Sequence, residues 1–273
     1  MSIRVPRTND RRPDARYNTN LIVSNIADSS YHAGEIEWES GVIRGFQGRV
    51  TYTYSKALDV GSEATSSGTG DVNIFAPDAG SYSRGLSRFD TRHRFTMTGT
   101  YLLPFFRDRK DWLEAVLGGW QVATVVRLSS GTPFTVVDNA ALDVDFDGVA
   151  NLRPVCIDPK GCGGLHVDSP VDSTSKLQKK SFRHPRYGDT LGDLMGRNTY
   201  YTDGFEAIDL GLYKSFRVPV RNDSIMLRLD VFNVANHVTY GFPTNDFNSA
   251  NFGRITSTAY APRTLQLGLR YIY

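Results

Sequence analysis

No stretch of this chain stays apolar for the ~18–20 residues that a membrane-spanning helix needs. That excludes a helical membrane protein but leaves a β-barrel open. Barrel strands alternate, so they average to a polar composition such as this one, with 40% hydrophobic residues and a mean hydropathy of -0.34. Charge of one sign is also lacking. The 31 Lys and Arg stand against 29 Asp and Glu, and a net charge of +2 gives no electrostatic case for nucleic acid. The opening Met1-Ser2-Ile3-Arg4-Val5-Pro6-Arg7 has no apolar h-region, so the expectation is a chain that is not exported or the tail of a longer precursor. Signatures of catalysis are missing as well. There is no P-loop, no G-x-G-x-x-G after a strand and no H-E-x-x-H. Ser129-Ser130-Gly131 is not a nucleophile elbow, and His166, His184 and His237 have no acid or nucleophile at useful spacing. His93 beside Asp90 reads as the start of a strand rather than as a catalytic pair. The chain is not expected to be an enzyme.

What the chain does have is alternation. In the terminal run Leu265, Leu267, Leu269, Tyr271 and Tyr273 share one face, and Thr264, Gln266, Gly268 and Arg270 share the other. Leucines toward lipid, tyrosines at the interface and an aromatic carboxy-terminus suit the closing strand of an outer-membrane barrel. Those five residues are the expected signal for the barrel-assembly machinery. An amphipathic strand of a soluble sandwich reads the same way, so the other strands decide. Phe46 to Ser55, Arg94 to Leu103, Trp120 to Ser129, Ile208 to Leu212 and Ile225 to Val231 repeat the period of two, and a weaker strand lies near 31–40. Their polar faces carry Thr, Gln, Ser, Gly and Arg, with Asp209, Arg228 and Asp230. A soluble sandwich would tend toward Lys and Glu. The mixture fits a wet, crowded lumen.

Connection lengths alternate too. Short links lie near 41–45 and 218–223, with a medium one from Pro104 to Gly119; long ones run 56–88, 131–204 and 236–261. Short turns on one side and long loops on the other follow the barrel rule of periplasmic turns and extracellular loops. The fold class is therefore all-β: an antiparallel transmembrane β-barrel segment of about seven or eight strands. Residues 1–29 are an amino-terminal loop or linker, with one weak strand in 15–26. Residues 30–273 are the barrel segment, and 131–204 its long extracellular loop; a small inserted domain there is the other reading.

Two local sites stand out. Cys156 and Cys162 lie six positions apart in a turn-rich stretch, which favours a disulfide-closed loop in an oxidising compartment over free thiols. Asp143, Asp145 and Asp147 alternate before Gly148, with Asn151 at the ninth position, as oxygen ligands around Ca²⁺ do. The twelfth position is Pro154, so the bidentate Glu of an EF-hand is missing; a solvated acidic loop is the other reading. No other cofactor is expected.

Several strings resemble the carboxy-terminal barrel of TonB-dependent outer-membrane receptors, in the Oar-like group with a carboxypeptidase-regulatory-like amino-terminal domain. They are Tyr52-Thr53-Tyr54-Ser55-Lys56-Ala57-Leu58-Asp59, Phe89-Asp90-Thr91-Arg92-His93-Arg94-Phe95, Leu117-Gly118-Gly119-Trp120-Gln121, Ser130-Gly131-Thr132-Pro133-Phe134, Leu229-Asp230-Val231-Phe232-Asn233-Val234-Ala235-Asn236-His237 and Asn251-Phe252-Gly253-Arg254-Ile255-Thr256. The resemblance covers about residues 30–273. It implies the bacterial outer membrane, a barrel of ~22 strands around a plug, and import of a large substrate, whether peptide, glycan or chelate. Lipid, the assembly machinery and periplasmic TonB are the implied partners. The plug and TonB-contacting segment are not in this sequence, so the segment is expected not to transport by itself. A small stand-alone barrel or surface adhesin is the alternative.

Overall fold

The computed structural model describes residues 28–62, 83–106, 112–139, 153–186, 188–218 and 223–273. Its strands are β1 (Ser29–Ile43), β2 (Phe46–Asp59), β3 (Gly85–Leu86), β4 (His93–Leu102), β5 (Trp120–Ser129), β6 (Pro133–Phe134), β7 (Val155–Cys156), β8 (His166–Val167), β9 (Phe182–Arg183), β10 (Tyr200–Thr202), β11 (Phe205–Arg217), β12 (Ser224–Phe232) and β13 (Thr264–Ile272). Seven of them form one antiparallel meander in the order β1-β2-β4-β5-β11-β12-β13, and the short β3 extends the far end of β2. The sheet does not close. β1 and β13 are its edges, and no pairing joins them.

Register carries the alternation from strand to strand. Trp38, Val50, Met97, Val126 and Ile208 lie in one cross-strand row, and Leu212, Leu229 and Leu267 in another. The opposite face aligns Glu37, Thr51, Thr96, Arg127 and Ala207, then Gly211, Asp230 and Gln266. A slip of one residue would exchange the two faces, so the pattern itself fixes the pairing. The tightest turn is Arg44-Gly45 between β1 and β2, both with positive φ (50° and 85°); a Cβ on Gly45 would meet the Leu102 carbonyl oxygen at 2.9 Å.

The sheet has no hydrophobic core of its own. Among the described residues of the seven long strands, Ala207 is the single buried hydrophobic side chain, whereas Ser40, Ser55, Asp59, Lys214 and Asp230 are buried polar ones. The core lies in the long connections. Phe134, Val136, Val167, Leu177, Phe182, Met195, Tyr200, Phe247 and Phe252 pack together, with Cys156, Cys162, Leu165 and Ile255 against them. They come from 130–204 and 233–263, so the two connections fold as one cap. The cap's framework is a three-stranded sheet, β6-β10-β8, and a β7-β9 pair. Rings interlock within it: Phe182 meets Phe252 edge-on at 5.7 Å, and Phe134 stacks on Tyr200 at 5.5 Å. The chain leaves β5 through Ser130-Gly131-Thr132. A Cβ on Gly131 would meet the Thr202 carbonyl oxygen at 1.9 Å, so glycine alone lets the strands leaving β5 and entering β11 lie this close.

Candidate functional site

The polar face of the sheet carries charges that satisfy one another across strands. Arg127 on β5 donates to the Asp209 carboxylate on β11 at 3.0 Å and to the Tyr260 hydroxyl of the 233–263 connection at 3.0 Å. Its guanidinium lies 5.7 Å from the Phe205 ring centre and 5.9 Å from that of Tyr260, and these two rings meet edge-on. The other Asp209 oxygen accepts the Asn233 backbone N–H at 2.9 Å. Asn233, 1% exposed and at φ 51°, turns the chain out of β12; its amide donates to the His237 and Ala261 carbonyls and accepts from the His237 N–H. One carboxylate thus ties the wall to the turn that begins the cap.

Two further charge clusters lie along the same face. On β12 Arg228 pairs with Asp230, which also accepts the Tyr213 hydroxyl at 2.8 Å. Toward the β1 edge Arg49 bridges Glu39 at 2.9 Å and Glu37 at 3.5 Å, all three half exposed. The exposed Arg49 pairs contribute little to stability, because solvent screens them. Their role is to make the wall hydrophilic rather than to hold it together.

A buried arginine fastens the cap to the sheet. Arg197, 3% exposed, pairs with Asp59 at the end of β2 and donates to the Asp59 and Ser83 carbonyls at 2.7 and 3.0 Å. Burial pushes its pKa down to about 10, so it stays protonated at neutral pH. Asn198, beside it at φ 54°, donates to the Leu86 carbonyl at 2.7 Å and exchanges bonds with Thr135. Asp90 holds the same end of β2 from another side, accepting the Ala57 N–H at 2.6 Å and the Arg92 guanidinium at 3.4 Å. Inside the cap the fully buried Asp138 accepts from Asn248 at 2.7 Å and meets the His184 Nδ1 at 2.8 Å. Arg183 grips Asp189 with both guanidinium nitrogens, at 2.6 and 2.9 Å, and holds that carboxyl below the usual range.

Cys156 and Cys162 form a disulfide with a Cα–Cα separation of 6.0 Å, and it packs on the cap core. Asp143, Asp145, Asp147 and Asn151 lie outside the described residues. The last strand presents Leu265, Leu267, Leu269, Tyr271 and Tyr273, all more than half exposed. The Tyr271 hydroxyl bonds to Asp223 at the neighbouring turn, and its ring stacks on Tyr273 at 6.3 Å. Sequence reasoning places Arg127 and Asp209 on polar faces, through the alternation of Trp120 to Ser129 and Ile208 to Leu212, but does not pair them. Tyr260, Arg197 and the Asp138–His184 contact it missed altogether, because Arg197 meets a partner 138 positions away and no local pattern marks either residue.

The long connections 60–92, 130–204 and 233–263 leave one end of the sheet, and 44–45, 103–119, 218–223 and the carboxy-terminus lie at the other. With large hydrophobic side chains outward on one face, charges on the other and every strand antiparallel, the sheet has the two surfaces of a barrel wall. No curated protein and no solved structure matches the chain. A family model does: the one described as "Outer membrane beta barrel domain" matches residues 3–266. The chain belongs to this outer-membrane β-barrel family, and its place is the bacterial outer membrane.

Proposed function

We propose that the chain is the carboxy-terminal wall of a TonB-dependent receptor of the Oar-like group, which binds a large substrate and imports it. The observation that carries this reading is the cap. A folded unit sits on the long-connection side, joined to the polar wall through Arg197–Asp59 and through Arg127–Tyr260. A pore that passes small solutes needs no such structure over its rim; a receptor for a peptide, glycan or chelate does. The strings that resemble the receptor group fall on the joints of this arrangement. One spans the end of β2 with Asp59, another the exit from β5 with Gly131, and a third carries Asp230 and the Asn233 turn.

In this reading the sheet is part of a larger closed barrel. Unpaired backbone at a sheet edge is not tolerated in hydrocarbon, so β1 and β13 take further strands. Seven or eight strands enclose only a side-chain-filled interior. Transport therefore needs the wider barrel, a plug and TonB, and the seven strands alone move nothing. The role is binding and passage, without bond chemistry. The test is uptake in the native bacterium. Deleting the gene that encodes this chain, or the inner-membrane energising complex, should abolish accumulation of the same members of a panel of labelled peptides, glycans and ferric chelates. Uptake lost with the gene but retained without the energising complex would replace the receptor by a passive channel.

A further inference from the structure

A cleft of about 390 Å³ opens on the outer, apolar face of the sheet at the level where the strands meet the cap. Its floor is one cross-strand row: Tyr52, Phe95, Leu128 and Glu206. Above the row stand His93 from the start of β4 and His237 from the 233–263 connection. The Tyr52 hydroxyl and the His93 Nδ1 are 2.8 Å apart, and the His237 ring lies 3.9 Å from the Glu206 carboxylate, both side chains 42% exposed.

Glu206 fixes the depth of this cleft. On β11 it shares the outward row with Ile208, Leu210 and Leu212. A carboxylate facing hydrocarbon is costly and rare, so the apolar band ends at the row Tyr52–Glu206. Lys214 marks the other end of the same outward row, with its ammonium turned to the Gly118 carbonyl and the Trp120 ring. Eight residues separate the two, about 26 Å along a strand and about 20 Å of height at a barrel tilt of ~40°. That is close to the apolar band of ~25 Å that such barrels show. The cleft thus sits where headgroups begin, open to the lipid side.

Its chemistry is selective. Glu206 and Asp203 line it, and no Lys or Arg does among the described residues, the reverse of what a phosphate needs. Carboxylates, imidazoles and a phenol accept from and donate to hydroxyls, and the Tyr52 and Phe95 rings offer flat apolar faces. We propose that the cleft seats a sugar of an outer-leaflet glycolipid, its ring face on Tyr52 and Phe95 and its hydroxyls on Glu206, His93 and His237. This rests on the outer-membrane location and not on the receptor reading.

Native mass spectrometry of the protein purified in detergent from outer membranes tests it, with a heat-dependent shift in gel mobility as the check of folding. The probes are rough lipopolysaccharide, the oligosaccharide left after its deacylation, and phosphatidylglycerol. The intact glycolipid should bind at least tenfold more tightly than either of the others. Glu206→Leu extends the apolar row and leaves folding intact, yet should weaken glycolipid binding at least tenfold, as should Tyr52→Leu. Unchanged binding in both variants would overturn the site. Phosphatidylglycerol binding as tightly as the glycolipid would overturn the sugar, and equal affinity for the free oligosaccharide would overturn the membrane-borne source.

Discussion

Val136 and Leu267 are both large aliphatic residues of one chain, and they end in opposite environments: 1% and 73% exposed. Val136 belongs to the cap, where Phe134, Tyr200 and their neighbours turn inward around a disulfide, as in a small secreted domain. Leu267 belongs to the sheet, where aliphatic groups turn outward and Asp230, Asp209 and Arg127 gather on the opposite face. Water drives the first arrangement. Lipid permits the second, because hydrocarbon rewards the same side chains on the opposite surface. The two regions therefore obey different stability rules although they share a backbone. The cap depends on packing density and the sheet on backbone hydrogen bonds and register. The joint between them, Arg197–Asp59, is polar because it must satisfy buried backbone carbonyls at the top of a wet wall.

The largest test of this division is a cavity in the cap. Phe134→Ala removes a ring that is 2% exposed and stacked on Tyr200, and should cost about 3–5 kcal/mol of cap stability. Limited proteolysis of folded protein in detergent should then cut within 130–204 while the heat-dependent gel shift of the sheet persists. Loss of both together would mean that the cap and the sheet form one cooperative unit.

The sheet has its own test at the last strand. Leu267→Arg places a charge on the lipid face and should destabilise by about 2–4 kcal/mol if the residue lies near the midplane. Gln266→Arg, on the opposite face, should be tolerated. Folding into liposomes against urea measures both, and equal effects would remove the assignment of the two faces.

Alkaline pH should separate the regions through Tyr200. Desolvation in the cap core raises its pKa from 10.0 to about 12. The folded pKa exceeds the unfolded one, so its stability is fully present below pH 10 and lost as pH rises through 12. Two pKa units correspond to about 3 kcal/mol. Proteolysis within 130–204 should rise over that window in the wild type and less in Tyr200→Phe. A Tyr200→Phe variant with the same alkaline profile would place the sensitive group elsewhere.

Reducing the Cys156–Cys162 disulfide should cost about 2–3 kcal/mol, the loop-closure value for a short loop, and only in the cap. Thiol labelling before and after reduction confirms the bond, and the gel shift of the sheet should not move. A sheet that loosened with it would show that the cap braces the wall.

The sheet was legible in the sequence because its physics is local. A period of two survives in any window of five residues, and β2, β4, β5, β12 and β13 follow the alternating runs closely. The alternation marks β11 over 208–212 alone, whereas the strand spans Phe205–Arg217, since Lys214 interrupts the apolar row and Tyr213 the polar one. β1 carries the weakest alternation and is the longest of the described strands. Its outward row is broken by Gly34 and Ser40, while pairing with β2 along nearly its whole length holds it extended. The cap was not legible. Its core joins Phe134 to Phe252 through residues with no repeat, and Phe182 and Phe247 meet across two connections. The pair Cys156 and Cys162 was the one local mark of a packed unit there.

The smallest effect sharpens the comparison most finely. Asp138, fully buried, and Arg153, 1% exposed, are both anchored in the cap. Between these anchors lies the Asp143-Val144-Asp145-Phe146-Asp147-Gly148 string, which offers three alternating carboxylates to a hard cation. Lacking a bidentate twelfth ligand, it is predicted to bind Ca²⁺ with a dissociation constant on the order of 10⁻⁴–10⁻³ M. At 10 mM Ca²⁺ and the weaker limit, mass action gives about 1.4 kcal/mol of stabilisation. Because both anchors are cap residues, that gain should appear as slower proteolysis of the cap and leave the urea midpoint of the sheet unchanged. Asp145→Ala should remove it. No calorimetric heat at millimolar Ca²⁺ would leave the segment a solvated acidic loop. A Ca²⁺ effect on the sheet equal to that on the cap would instead mean that the ion acts at the wall, where Glu35, Glu37 and Glu39 stand in sequence on the polar face of β1.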